Sequence, residues 1–302
     1  MKNYIIIFIL LIYFLTSCSA PTKKELKLST TTWIGYTPLF YAKSKGWLEE
    51  INIKLLHVVS LSENMYLYKA GNSDAYTGTQ YEFNLLKGKD SNLFPIMLFD
   101  RSNGGDIVMS NMSIKKLQST KQSIYAYLEI DSINSTILND FLKKFNLRDK
   151  SINYINKDQA QISILKNDMP DKPTIIITYI PYNVTLEKNG FIEIASTKNN
   201  IDILVLDALF TKKSVFKAHK QQFIKLKEYL DKSIIALEKD PKEFYNAIKP
   251  YMEDFSYKDF IHSLEDIIWM NKGLPKNLKT RMDEMSFSTK ELLWPLLLLD
   301  SH

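Results

Sequence analysis

From Leu26 to Leu206 the sequence alternates between short runs of β-branched and aromatic residues and longer amphipathic stretches, and this alternation constrains the fold more than any other feature. The spacing predicts strands over 26–32, 51–59, 74–77, 94–99 and 107–110, then over 123–127, 152–155, 174–178 and 201–206. Helices are predicted between them. Thr37-Pro38 opens one, with threonine as N-cap and proline at the first helical position; Ser60 or Ser62 caps another, and Gln80 begins a third. In the second unit they cover 132–145, 158–165 and 181–188. Strand and helix in alternation imply right-handed crossovers on a mostly parallel sheet. After Asp207 the pattern changes: 208–299 reads as amphipathic helices broken at Asp240-Pro241, Lys249-Pro250 and Leu274-Pro275, with no strand. Trp269 and Trp294 are expected on the core faces of those helices, and 292–299 as an apolar closing helix. The expected class is therefore α/β, with two lobes around a ligand cleft and a helical C-terminal third. The lobes run 26–110, 111–205 and back at 206–302.

The N-terminus is an address rather than part of a core. Lys2 precedes an unbroken apolar run from Tyr4 to Leu15, too short to span a bilayer, which takes about 20 apolar residues. The run ends at Leu15-Thr-Ser-Cys18, which resembles the lipobox of bacterial lipoproteins, where the cysteine is acylated and becomes the first mature residue. Residues 1–17 then form the signal peptide and 18–25 a polar tether. Cys18 is the only cysteine in 302 residues, which excludes a disulfide framework and a thiolate metal cluster. The formal charge of +5 is mild, and lysines alternate with acids along the helices, so a nucleic-acid partner is not expected.

Little in the sequence invites catalysis. The four histidines, His57, His219, His262 and His302, lack zinc-ligand spacing. Ser102-Asn-Gly-Gly-Asp106 lacks the lysine and hydroxyl residue of a P-loop, and no Gly-x-Ser-x-Gly elbow occurs. No enzyme activity, metal or cofactor is expected. What recurs is aromatic and polar residues at the carboxyl ends of successive strands, where ligands bind in open parallel sheets. Those ends carry Trp33, Tyr36 and Thr37, then Gln80, Tyr81 and Glu82, then Asp100, then Glu129 and Ser132, then Tyr179; with Asp207 they form the expected ligand-binding set.

These residues carry a resemblance. The segment from Thr31 to Glu50, TTWIGYTPLFYAKSKGWLEE, is similar to the opening of nitrate/sulfonate/taurine-type solute-binding proteins of ABC transporters, a group that includes binders of thiamine-pyrimidine precursors. Ala70-Gly-Asn-Ser-Asp-Ala75, Asp100-Arg-Ser-Asn-Gly-Gly-Asp106 and Thr178-Tyr-Ile-Pro-Tyr182 resemble later segments of the same family, in order and spacing. The resemblance implies a type 2 periplasmic-binding-protein fold: two lobes joined by two crossings, here expected near 110–113 and 204–207, closing on a solute by hinge bending.

It also implies a function. A lipid-anchored solute-binding protein in the bacterial cell envelope, on the periplasmic or extracytoplasmic face, would deliver a small polar organic or oxyanionic solute to ABC permease and ATPase subunits, as a monomer. A ligand-sensing lipoprotein reporting to a membrane signalling protein is the alternative. The pyrimidine-precursor synthase that shares this fold needs a cysteine-rich motif, which this chain lacks. Two departures bear on the ligand: Ile180 stands where the family has glutamate before proline, and Asp207 where an arginine is common, a pattern expected from a swapped or abandoned salt bridge, the alternative being a cleft tuned away from sulfonate or nitrate. The acids Glu82, Asp100, Glu129 and Asp207 beside aromatic rings suit an amine or a stacked heterocycle, whereas helix starts at Thr37-Pro38 and after Ser132 suit an anion. At the level of sequence both signs stand.

Overall fold

The computed structural model describes residues 24–88, 90–252, 255–284, 287, 292–293 and 298–299; Cys18, the leader 1–17 and Trp294 lie outside them. The chain runs β1 Leu26–Thr30, a 3-10 turn Ile34–Tyr36, α1 Thr37–Ser44, α2 Trp47–Glu50, β2 Ile53–His57, α3 Leu61–Lys69, β3 Ala75–Thr79, α4 Gln80–Lys87 and β4 Leu93–Ser102. It continues through β5 Asp106–Ser110, α5 Ile114–Ser119, β6 Ile124–Leu128, α6 Ile133–Lys144, β7 Ile152–Asn156, α7 Gln159–Ser163, β8 Thr174–Tyr179, α8 Asn183–Lys188 and β9 Ile192–Ser196. The last part is β10 Leu206–Lys212, α9 Lys213–Ala218, α10 Lys220–Lys239, α11 Pro241–Ile248, α12 Tyr257–Ser263, β11 Ile267–Trp269, β12 Leu274–Pro275, α13 Lys276–Glu284 and β13 Leu298–Leu299.

Two sheets carry the fold, in strand orders β11-β4-β10-β3-β1-β2 and β7-β6-β8-β5-β9. Both mix parallel and antiparallel pairs. In the first, β1 pairs with β2 and β3 in parallel, while β10 runs antiparallel to β3 and β4. In the second, β6 is parallel to β7 and β8, while β5 is antiparallel to β8 and β9. Strands β3, β5 and β8 are buried at every residue, as befits strands covered on both faces. Local sequence sets the helix starts. Thr79 and Glu82 form a reciprocal capping box on α4; Ser60 caps α3, Ser132 caps α6, Asp158 caps α7 and Asp240 caps α11.

Several sequence expectations are corrected. The mostly parallel sheet is mixed, because β5, on which the chain enters the second sheet, and β10, on which it returns to the first, run against their neighbours. The strand at 107–110 belongs to the second sheet, so the first crossing is the Asn103-Gly104-Gly105 link between β4 and β5 and not 110–113. The return link spans 197–205, and the strand expected at 201–206 is instead β10, beginning at Leu206. Strand β9 was hidden by its polar, exposed edge, and β11 by its three-residue length. Trp269 accordingly lies half-buried on β11 rather than on a helix. Thr37 is the first residue of α1 rather than its cap, and its hydroxyl donates to the Ile34 carbonyl at 2.7 Å. The closing helix at 292–299 falls largely outside the described residues; its last two form β13, parallel to β12.

The C-terminal helices complete the first sheet's layer. Helices α10 and α11 pack on α1, where Tyr41 stacks on Phe244 at 4.6 Å and Phe244 on Phe260 at 6.0 Å. The Gln222 side chain donates to the Ile51 carbonyl at 2.8 Å, tying α10 to the turn before β2. Phe244 is fully buried, and Phe244→Ala should lower the unfolding free energy by about 3–5 kcal/mol, read by urea denaturation.

Candidate functional site

The two crossings run side by side and are stitched together. Thr197 of the return link is the common partner: its hydroxyl lies 2.8 Å from that of Ser102 and accepts the Gly104 amide at 2.8 Å, and its own amide donates to the Asp106 carbonyl at 3.0 Å. The Asp266 carbonyl accepts the Asn103 and Gly105 amides at 2.8 and 3.1 Å. Gln80 holds the return link to the first lobe, accepting the Leu206 amide at 2.9 Å and donating to the Leu204 carbonyl. Short, hydrogen-bonded links of this kind let two lobes bend about one axis without drifting apart.

In the seam beside the links, residues of both sheets enclose a narrow cavity that their own side chains nearly fill. Thr31, Trp33, Leu61 and Thr79 line it from the first lobe, Asp106, Ile133 and Tyr179 from the second, and Val205 and Asp207 from the return. The Trp33 indole is central. It meets Tyr179 edge to face at 5.8 Å, and Nε1 donates to both Asp100 carboxylate oxygens at 3.2 Å. Two glycines make this possible: a Cβ on Gly35 would sit 1.7 Å from Asp100 Oδ2, and one on Gly105 2.4 Å from the indole. Both positions need the absence of a side chain.

Five carboxylates are buried around this seam: Glu82, Asp100, Asp106, Glu129 and Asp207. Among the described residues none of them pairs with a lysine, arginine or histidine. Glu82 is the best satisfied, accepting the Thr79 amide and hydroxyl at 2.8 and 2.6 Å and, across the seam, the Ile133 amide at 2.9 Å. Asp207 accepts the Tyr36 hydroxyl, which burial and that carboxylate push well above its ordinary pKa. Asp106 has one oxygen without a partner; Glu129 faces Ser60 and the Leu61 amide, yet neither of its oxygens closes a hydrogen bond. Burial raises every one of the five. It lifts Asp106 to about 7 and Glu129 to about 8, with Glu82 adding to both. Asp100 and Asp207 go well above the carboxylate range, each pushed further by a neighbouring acid.

Of the sequence-predicted set, Trp33, Tyr179 and Asp207 line the cavity and Asp100, Tyr36 and Glu82 support it. Glu129 and Ser132 sit at the foot of α6, where the Ser132 hydroxyl donates to the Glu129 carbonyl at 2.9 Å and accepts the Asn134 amide at 3.2 Å. Tyr81 is half-buried near Ser135 across the seam, Thr37 turns inward to Ile34, and Gln80 serves the link; none of the three lines the cavity. Ile180 is buried, and its amide donates to the Gly105 carbonyl at 3.1 Å. Sequence reasoning missed Thr31, Leu61, Thr79, Ile133, Val205 and above all Asp106. Asp106 begins its strand, and a rule that looks at strand carboxyl ends passes over the first residue of an antiparallel strand at the same edge.

Two α/β lobes on paired crossings, with a cavity in the seam, define the periplasmic-binding-protein fold. A sequence model of the family described as NMT1/THI5 like matches residues 33–244, and the chain belongs to that family. Among solved structures, the ligand-binding component of an ABC-type import system from Staphylococcus aureus, with zinc bound, superposes with a TM-score of 0.69 at 14% identity, covering 89% of this chain and 96% of the other. The alkanesulfonate-binding protein SsuA from Xanthomonas axonopodis pv. citri, bound to MOPS, gives 0.64 at 12% identity, with 89% and 96% coverage. A Candida albicans gene product with the generic periplasmic-binding-protein fold gives 0.64 at 14%, covering 92% and 98%. No curated protein matches the sequence.

The raised carboxylates have a consequence for stability. A folded-state pKa above the unfolded value means the folded chain keeps protons that the unfolded chain has released, so the stabilisation is full below about pH 4 and is lost as pH rises through the folded pKa values. With Asp106 near 7 and Glu129 near 8, the ligand-free protein should lose several degrees of Tm between pH 5.5 and 8.5 by calorimetry. Asp106→Asn and Glu129→Gln should each flatten that slope.

Proposed function

We propose that this chain is the extracytoplasmic solute-binding component of an ABC importer. It captures a small solute by closing its two lobes and presents the closed form to the permease and ATPase subunits. The observation that carries this is the seam cavity, lined from both lobes beside paired crossings, because a solute held there bridges the lobes only when they are closed and so shifts the population toward that state. Membership of the NMT1/THI5-like family supports the reading, as do the binding components of import systems among the structural neighbours. We take the lobes as 26–102 with 206–299, and 106–196. The protein is a monomeric binding protein rather than an enzyme and needs no cofactor. Trp33, Asp106, Tyr179 and Asp207 touch the solute, while Tyr36, Glu82 and Asp100 hold the frame.

The anchor rests on the sequence. The lipobox-like Leu15-Thr-Ser-Cys18 supports attachment to the envelope by a lipid on Cys18, with 18–25 as the tether. Metabolic labelling with palmitate in a bacterial host tests it: the parent should be labelled and membrane-bound, and Cys18→Ala unlabelled and released. Capture is tested by calorimetric screening of the purified protein with X-ray scattering on each hit. The expected result is saturable binding with a fall in radius of gyration, weakened about tenfold or more by Trp33→Phe, which keeps a ring but removes the donor to Asp100. Stimulation of a co-reconstituted permease and ATPase separates import from sensing; a bound form that leaves the ATPase rate unchanged overturns the importer assignment.

A further inference from the structure

We propose that the captured solute is a small organic cation of the amine type, its N–H donors met by Asp106 and Asp207 and its body packed against Trp33 and Tyr179. This rests on the solute-binding reading above and supplies the ligand class that reading leaves open.

The cavity wall itself carries two carboxylates and no cationic side chain. Three of its buried polar atoms, Thr31 Oγ1, Asp106 Oδ2 and Tyr179 Oη, have no hydrogen-bond partner, and their residues are 0%, 3% and 2% exposed. Buried polar atoms are normally satisfied, so these three mark contacts that a ligand completes. Once ionised, the Asp106 carboxyl can only accept, so a cationic donor completes its open oxygen and favours release of the proton to solvent. Glu129, also buried and without a hydrogen-bond partner, lies in the same lobe as Asp106.

The anion sites that the sequence suggested are closed. At α6 the first amide, Ile133, is taken by the Glu82 carboxylate at 2.9 Å and the next, Asn134, by the Ser132 hydroxyl at 3.2 Å. At α1 the Thr37 amide turns back to the Ile34 carbonyl, and Pro38 has no N–H to offer. Trp33 Nε1, the one ring donor at the cavity, is committed to Asp100. A sulfonate or nitrate would meet two acid side chains with only the hydroxyls of Thr31 and Tyr179 as free donors, since that of Thr79 is taken by Glu82. A metal ion fits no better: among the described residues no three His, Cys, Asp or Glu side chains converge to hold one. The acids are spread around a volume, which suits a molecule that distributes its donors or its charge, and the indole and phenol rings favour a cation in that volume. A neutral solute leaves the buried carboxyl groups holding their protons, whereas a cation favours their ionised, accepting form.

The test is a set of shape-matched triads on benzyl, butyl and pyridylmethyl frames, each as amine, alcohol and carboxylate, titrated calorimetrically into the purified protein. Binding should be saturable for amines and at least tenfold weaker for the matched alcohols and carboxylates. Asp106→Asn and Asp207→Asn should each weaken the best amine tenfold or more, while Asp149→Asn, an exposed acid far along the second lobe, leaves it unchanged. Alcohols or carboxylates that bind as tightly as the amines overturn the cation assignment and leave solute capture standing. An amine that binds equally to the parent and to both Asp variants overturns the site. Saturable binding by no member of any triad overturns the cation assignment and solute capture together.

Discussion

A carboxylate moved from water into a protein interior loses hydration that only hydrogen bonds, a counter-charge or a proton can replace. The seam between the two sheets places five of them under that constraint at once, and the local structure is arranged around how each is answered. Glu82 receives three donors and thereby fastens the start of α4 to the start of α6. Asp100 receives an indole N–H, which fixes the Trp33 ring and obliges residues 35 and 105 to be glycine. Asp207 receives the Tyr36 phenol. Asp106 and Glu129 receive least and hold protons into the neutral range. The satisfied acids are structural joints and the unsatisfied ones are the reactive remainder, so the same burial that shapes the frame also leaves a demand for donors at its centre.

Topology explains why that demand falls in a seam. Because β5 and β10 run against the strands they join, the first residues of both strands, Asp106 and Leu206-Asp207, arrive at the edge where the parallel strands end. The links 103–105 and 197–205 are bound to one another through Thr197 and tied to the first lobe by Gln80 and the Asp266 carbonyl. Bending there moves one set of acids relative to the other. Among the described residues, Ile133 to Glu82 at 2.9 Å and Tyr66 to Asp131 at 2.7 Å are hydrogen bonds that cross the seam.

Much of this was legible in the sequence, and the reasons for what was not are specific. Strand-helix alternation gave two α/β lobes because buried strands such as β3 and β8 are continuous apolar runs and the helices between them announce their caps. Trp33, Tyr179 and the acids stood out at strand ends. Hidden were the features that depend on direction: periodicity cannot distinguish a parallel from an antiparallel strand, so the first crossing was displaced to 110–113 and Asp106 went unread. Strand β9 carries glutamate and isoleucine on an exposed edge and lacks the burial pattern that makes a strand visible. Thr37-Pro38 has the composition of a cap, but the preceding 3-10 turn uses the threonine differently. The anion expectation at α6 failed for a further reason. A helix N-terminus attracts negative charge, and in this fold a side chain 51 positions away supplies it.

That substitution bears on selectivity. Discrimination between solutes is a difference of two free energies, and a site can enlarge it by making the wrong ligand worse as well as the right one better. Filling the α6 terminus with Glu82 removes the donors an oxyanion would use and adds a charge that repels it, in one step. The acids around it then act on closure. A carboxylate that gives up water when two lobes close opposes that closing unless a positive charge enters with it. A cation between the sheets offsets the desolvation it makes possible, so its charge drives the conformational change as well as the affinity, and a neutral molecule of the same shape supplies contact area without that drive.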